Sequence, residues 1–290
     1  MCPEYAFRSN YVKLDGCNIH YIDEGTGEPV LLLHGSATWS FLYRNLIRTL
    51  GPNKRVIAPD MLGFGLSEKN GEVPSGFEKN IELLSEFILQ LNLEGITLVM
   101  HGWGAAIGLG IMVKHPTLIK KVILLNGISF RIPVSIPLLL VAAIPFVGIH
   151  VLRKTNLVMR SFFSQNRGYA TKENKLYYMS PYAHYIDRKG IYQFFGDIPI
   201  SRHGGSNSLL REIQRKIKDS SSIPWHAIFC SNKSSSIKLL LDKWGKYAPW
   251  AKVKIFHDQN HFMLEDKESD VIKYIVNILD NEEKENKGNN

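Results

Sequence analysis

The groups that could do chemistry in this chain cluster in a few short stretches. One is Leu98-Val99-Met100-His101-Gly102-Trp103-Gly104-Ala105-Ala106, an apolar run that enters a glycine-rich turn and leaves it as a small-residue helix. Strand, tight turn and helix in that order describe a nucleophile elbow, whose central residue takes positive φ and lifts its side chain off the end of a parallel strand. Covalent catalysis there needs a side chain such as Ser, Cys or Asp that can attack and hold an intermediate. The central residue here is Gly102, so the nucleophile position is vacant. A second stretch, Asp258-Gln259-Asn260-His261-Phe262, places His261 just after an apolar strand, where it is the candidate general base. The backbone N–H groups of Ser36 and Trp103 are the candidate oxyanion-hole donors, and no side-chain change removes them.

These groups need a scaffold, and the chain spells one out. Tyr11 to Asp15 and Cys17 to Asp23 alternate apolar and polar residues about Asp15-Gly16, which predicts an antiparallel hairpin. Val30 to Leu33 and Arg55 to Ala58 read as buried strands, with a helix over Phe41 to Leu50 between them. Phe77 to Leu91 is an amphipathic helix, and Lys121 to Leu125 a further strand after the elbow helix. Strand, loop and helix alternate through Asn126 as in a doubly wound, mostly parallel α/β sheet. The rhythm then breaks at residues 131–148, an apolar run split by Pro133, Pro137, Pro145 and Gly148. A membrane-spanning helix needs about 20 apolar residues in one piece, so this run reads as part of a helical cap. The aromatic and basic segment from Lys154 to about Asp219 continues the cap, with most of its rings expected in the cap core. The sheet resumes with strands at Ile223 to Cys230 and Lys252 to Phe256, helices over Ile237 to Tyr247 and Glu265 to Leu279, and a charged tail. The expected division is core 1–128, cap 129–219, core 220–280 and disordered tail 281–290.

Composition narrows the function. The chain has 290 residues, 44% of them hydrophobic, enough for one core with an inserted cap. Its net charge of +8 comes without a basic run interleaved with aromatics, which argues against nucleic acid as a partner. Its three cysteines, Cys2, Cys17 and Cys230, have no metal-ligand spacing and suit a reducing compartment. A cytoplasmic location and no cofactor or metal are expected. The expected partner is a hydrophobic small molecule. A membrane-surface contact through the cap stays open, as does a protein partner.

Four motifs together resemble a known group: His34-Gly35 with Thr38-Trp39-Ser40-Phe41, Asp60 with Gly63, Gly65 and Ser67, His101 with Trp103-Gly104, and His261-Phe262 with Glu265-Asp266. The chain resembles α/β-hydrolases of the haloalkane-dehalogenase-like branch over roughly Val12 to Leu279, and within it the β-lactone decarboxylases of bacterial olefin biosynthesis. Pro181-Tyr182 and Ile191-Tyr192-Gln193-Phe194 with Asp197-Ile198-Pro199 strengthen the second likeness. The resemblance implies an Asp nucleophile where this chain has Gly102, a triad carboxylate where it has Ser234, and the catalytic histidine at His261. It also implies a halide site built from a Trp beside the nucleophile and an Asn after His34-Gly35. Trp103 is kept, but the Asn position is Ser36. Trp39, Trp103 and Phe262 are expected to contact the substrate.

Two losses in one triad favour a natural departure from covalent chemistry over a single engineered change. Without a triad carboxylate, His261 is expected to titrate near the reference value of about 6.5. Asp60, His34 and His101 are expected to hold loops, Asn126 to be unable to replace the acid, and Cys230 to be an inert buried thiol. Three readings follow. The chain acts on a hydrophobic acyl, lactone or polyketide-like molecule by His-based acid–base chemistry; or it is a pseudo-hydrolase that binds without turnover; or it is a residual hydrolase that uses water as nucleophile.

Overall fold

A computed structural model describes residues 5–36, 38–69, 75–130, 150, 153–157, 159–160, 163, 170–198, 206–230, 235–257, 259, 261–266 and 269–288. Ser234, Asp258 and the proline-broken run 131–148 lie outside the described residues.

Eight strands form one sheet: β1 (Asn10–Leu14), β2 (Cys17–Glu24), β3 (Pro29–Leu33), β4 (Arg55–Pro59), β5 (Ile96–His101), β6 (Ile119–Leu125), β7 (Trp225–Cys230) and β8 (Lys252–Phe256). Their order is β1-β2-β4-β3-β5-β6-β7-β8. The β1–β2 and β2–β4 pairings are antiparallel and the other five parallel, as the sequence predicts. The hairpin turn is set by Asp15 and Gly16, both at positive φ (43° and 80°), the geometry a two-residue connection prefers. The central strand β5 is buried at all six positions, and apart from Thr97 and His101 its residues are apolar without alternation. Edge strand β8 is exposed or half-buried throughout.

The strand order places the site. From β3 the chain moves outward to β4, then crosses back to β5 on the other side of β3, so β3 and β5 flank a topological switch point. Loops leaving the carboxyl ends of such strands diverge and open a crevice. The loop that begins at His34 and the turn at Gly102 are those two loops.

The core helices are α1 (Arg44–Leu50), α2 (Phe77–Gln90) and α3 (Gly104–Lys114), and the later ones α7 (Ser235–Tyr247) and α8 (Asp270–Gly288). Between β6 and β7 lie the inserted helices α4 (Lys172–Met179), α5 (Lys189–Asp197) and α6 (Asn207–Lys216). The insertion is pinned to the core by several bonds. Asp197 Oδ2 accepts the Phe77 N–H at 2.7 Å, capping α2 from outside because Gly76 offers no side chain. Tyr182 OH accepts the Gly65 N–H at 2.9 Å, and Ser75 Oγ donates to the Gly190 carbonyl at 3.1 Å.

Several boundaries differ from the sequence reading, three of them at helix ends. The helix over Phe41 to Leu50 is a 3-10 turn at Ser40–Tyr43 followed by α1. The last helix starts at Asp270, not Glu265, because Ser269 Oγ accepts the Val271 N–H while Glu265 is drawn into an ion pair. It also runs on to Gly288, through most of the expected tail, where Glu and Lys are good helix formers and no Gly or Pro intervenes. Tyr178, Tyr182, Tyr192 and Phe194 are buried as expected, but Tyr185 is 40% exposed.

Candidate functional site

Gly102 sits at φ +52°, the left-handed conformation of an elbow, which glycine adopts without strain. Its N–H donates to the Leu125 carbonyl at 3.0 Å, and its own carbonyl accepts from Ile128 N–H at 2.8 Å and Ala105 N–H at 3.2 Å. The turn is therefore fixed by β6 and α3 whatever residue occupies it. Gly104, two residues on, has its own reason: a Cβ there would fall 2.4 Å from the Leu33 and His34 carbonyl oxygens, so only glycine lets α3 approach β3 this closely.

The geometry above Gly102 connects the two stretches. A Cβ placed on Gly102 would stand 3.6 Å from His261 Cε1 and 3.8 Å from His261 Nε2, with Gly35 Cα also at 3.8 Å. These are ordinary contact distances. His261 faces the elbow, in the relationship a nucleophile and its base would have. The Ser36 and Trp103 N–H groups do not donate to other backbone carbonyls among the described residues.

His261 is only partly exposed, and burial pushes its imidazole from 6.5 down to about 4. This corrects the expectation of a value near 6.5, since a missing carboxylate is not the only influence. The loop that carries it is fixed on both sides. Asn45 Nδ2 donates to the Leu264 and Glu265 carbonyls (3.1 and 2.8 Å), and Ser269 Oγ donates to the Met263 carbonyl at 2.7 Å. Glu265 is held by the buried Arg44 through two bonds of 2.9 Å, by Asn174 Nδ2 at 3.1 Å and by the Tyr178 hydroxyl. Arg44 belongs to α1, whereas Asn174 and Tyr178 belong to α4. One carboxylate thus joins core, cap and the histidine loop. In sequence Glu265 belongs to a motif, whereas Arg44 opens a helix that also carries Asn45, Arg48 and Thr49, so nothing along the chain marks it as buried.

The other named residues fall into place around this centre. His34 donates from Nδ1 to the Gly35 carbonyl at 2.8 Å and accepts the Met61 N–H on Nε2 at 3.0 Å, and burial lowers its pKa. Both nitrogens are occupied in loop bonds. Asp60 accepts from Ser40 N–H (2.7 Å), Leu66 N–H (2.8 Å) and His20 Nδ1 (2.9 Å), which holds the glycine loop. Burial works to raise its carboxyl, but the bond to His20 and the neighbouring histidines hold it below the usual value. Asn126, at positive φ, accepts the Cys230 N–H at 3.0 Å, tying β6 to β7. Burial pushes the Cys230 thiol up to about 12, so no thiolate forms near neutrality.

Of the expected substrate contacts, Trp103 is 9% exposed and lies 5.4 Å from the Phe77 ring, which in turn meets Phe194 of α5 at 4.6 Å. Phe262 packs between Phe163 and Tyr178 of the insertion, at 5.4 and 5.5 Å. Trp39 stacks on Phe41 and meets Tyr5 edge to face, and its indole nitrogen is buried without a hydrogen-bond partner among the described residues. Among the described residues no group of three or more His, Cys, Asp or Glu side chains converges as metal ligands would.

An elbow at a switch point, a histidine facing it and a helical insertion define the α/β-hydrolase fold. Residues 28–145 match the family model of the alpha/beta hydrolase fold. The chain is 32% identical to the cis-3-alkyl-4-alkyloxetan-2-one decarboxylase of Shewanella oneidensis, over 94% of this chain and 88% of that protein. It is 28% identical to the enzyme of that name from Xanthomonas campestris pv. campestris, over 96% and 98%. The haloalkane dehalogenase DatA from Agrobacterium tumefaciens C58 shares the fold, with a TM-score of 0.80 at 21% identity, covering 92% of this chain and 94% of that one. The chain belongs to the family of the Shewanella decarboxylase, and it shares its fold with the haloalkane dehalogenase.

Proposed function

We propose that this chain binds a hydrophobic lactone or acyl compound above Gly102 and acts on it without a covalent intermediate. The observation that carries this reading is the contact distance between His261 and the place a Gly102 side chain would occupy. The relatives are named for an oxetan-2-one, a four-membered lactone, and the α/β-hydrolase fold with its insertion suits such an apolar ligand. In the proposed reaction a water above Gly102 gives a proton to His261 while its oxygen adds to the lactone carbonyl, and the N–H groups of Ser36 and Trp103 stabilise the resulting oxyanion. When the carbonyl re-forms, the ring C–O bond breaks and the departing oxygen takes the proton back from His261. The Ser234 position contributes no carboxylate to this scheme.

One observation favours binding without turnover as the second reading. A base with a pKa of about 4 is poorly matched to proton transfer at neutral pH.

His261→Ala tests both readings with a cis-3-alkyl-4-alkyloxetan-2-one as substrate. If His261 is the base, turnover falls by about 10²–10⁴-fold while affinity changes only a few-fold. Unchanged turnover sinks the proposed role, and binding with no turnover in either protein establishes the second reading. Incubation with a reactive alkyl halide should leave the peptide spanning Leu98 to Gly110 unmodified by mass spectrometry.

A further inference from the structure

We propose that the outer face of the cap docks on an anionic lipid bilayer. The first observation is where the charge lies. Residues 129–219 carry 14 Lys and Arg against 5 Asp and Glu, whereas the rest of the chain has 21 against 22. The net charge of +8 is therefore a property of the insertion, and the hydrolase core is close to neutral.

The second observation is a built apolar tip inside that basic region. Ala183, His184, Tyr185 and Ile186 are consecutively exposed, Tyr185 at 40% and Ile186 at 55%. The tip is held firmly by Arg188, which donates to the Tyr182 carbonyl at 2.8 Å, to the Ala183 carbonyl at 2.7 Å and to the Arg153 carbonyl at 2.6 Å. Arg153 lies 4.0 Å over the Tyr185 ring, and His150 Nδ1 is 2.7 Å from the Tyr185 hydroxyl. Exposed Leu157 and Lys154 extend the same segment. The neighbouring acid is Asp187, whose charge acts on Lys69.

An exposed Tyr–Ile pair flanked by cations matches a membrane interface, where an aromatic ring sits at headgroup level, an aliphatic side chain enters the acyl boundary and cations meet anionic headgroups. Nucleic acid would satisfy the charge but give the exposed Ile186 nothing to bury against. No helix among the described residues is long and apolar enough to cross a membrane, and the contact proposed here is a peripheral one. The proposal concerns the outer cap face and holds with or without turnover at Gly102.

Sedimentation of the full chain with vesicles tests it. The chain should bind vesicles of phosphatidylcholine with phosphatidylglycerol at low ionic strength, bind pure phosphatidylcholine far less, and release as salt rises. Tyr185→Ser/Ile186→Ser and, separately, Arg153→Glu/Lys154→Glu should each lower partitioning about tenfold or more. Circular dichroism should be unchanged in both. Failure to bind the anionic vesicles, or wild-type binding by both variants, overturns the proposal. So does duplex DNA that binds as tightly as the vesicles and tolerates loss of Tyr185 and Ile186, which would make the face a general polyanion surface.

Discussion

His101 donates from Nε2 to the backbone carbonyl of His261 at 3.0 Å, and the two imidazole rings lie with centroids 4.3 Å apart. A carbonyl only accepts, so neutral His101 carries its proton on Nε2 and leaves Nδ1 as a buried acceptor. Nδ1 has no hydrogen-bond partner among the described residues, and Gly35 packs directly against it. Protonating His101 would put a donor there with nothing to receive it. Burial, and then the adjacent His261, hold the His101 pKa well below its ordinary value.

Stability should therefore depend on pH in a particular direction. Both histidines have folded-state pKa values below their unfolded ones, so between pH 6.5 and about 4 the unfolded chain binds more protons. Stability is full above pH 6.5 and is lost as pH falls through that window. His261 alone accounts for a loss of up to about 3 kcal/mol. Urea midpoints at pH 7, 5.5 and 4.5 should fall in that order, and His101→Gln should flatten the trend. Any turnover based on neutral His261 should already be at its plateau by pH 5.5, and a rise centred on 6.5 would contradict the burial argument.

Restoring a carboxylate tests the elbow. A Cβ at position 102 meets only ordinary contacts, so Gly102→Asp should fold, at a cost of about 1–3 kcal/mol from the positive φ together with carboxylate desolvation. The new carboxylate should raise the His261 pKa above about 4, because an opposite charge favours the imidazolium. NMR titration of the His261 ring would read the shift, and denaturant midpoints the cost. An unchanged midpoint would mean that position 102 is not strained. Turnover should not return from this change alone, since the residue at position 234 remains Ser.

The alternation of strands and helices, the elbow and the candidate histidine are legible in the sequence because each has a local signature. Apolar runs of strand length, glycines at a turn and a His after the last strand can be read along one dimension. The His261 pKa was not legible, because desolvation depends on what packs around a ring and not on its neighbours in sequence. The Arg44–Glu265 pair was equally hidden. Its partners are 221 positions apart, and nothing in Arg44's surroundings in sequence separates a buried arginine from a surface one. The start of α8 was misplaced for the same reason, as Glu265 looks like a first-turn acid until its partner is known.

That pair gives the last prediction. Glu265 accepts four side-chain donor groups across core and cap, and Arg44 lies fully buried with its guanidinium carbon 4.1 Å from the Phe41 ring centroid. Removing one partner from a buried pair leaves an uncompensated charge, so Arg44→Met should cost about 3–5 kcal/mol. Replacing both partners with apolar residues removes the stranded charge, and Arg44→Met/Glu265→Leu should recover much of the loss. Its remaining deficit should show where the polar bonds had joined cap to core. In the double variant Tyr178 and Asn174 no longer have the carboxylate to bond, so amides of α4 should exchange faster with solvent while those of β5 stay protected. Hydrogen exchange followed by mass spectrometry separates the two segments. A double variant as unstable as the single, or α4 exchange unchanged in it, would show that Glu265 does not fasten the cap and that other bonds, among them those from Asn45, Ser269 and His101, hold the His261 loop.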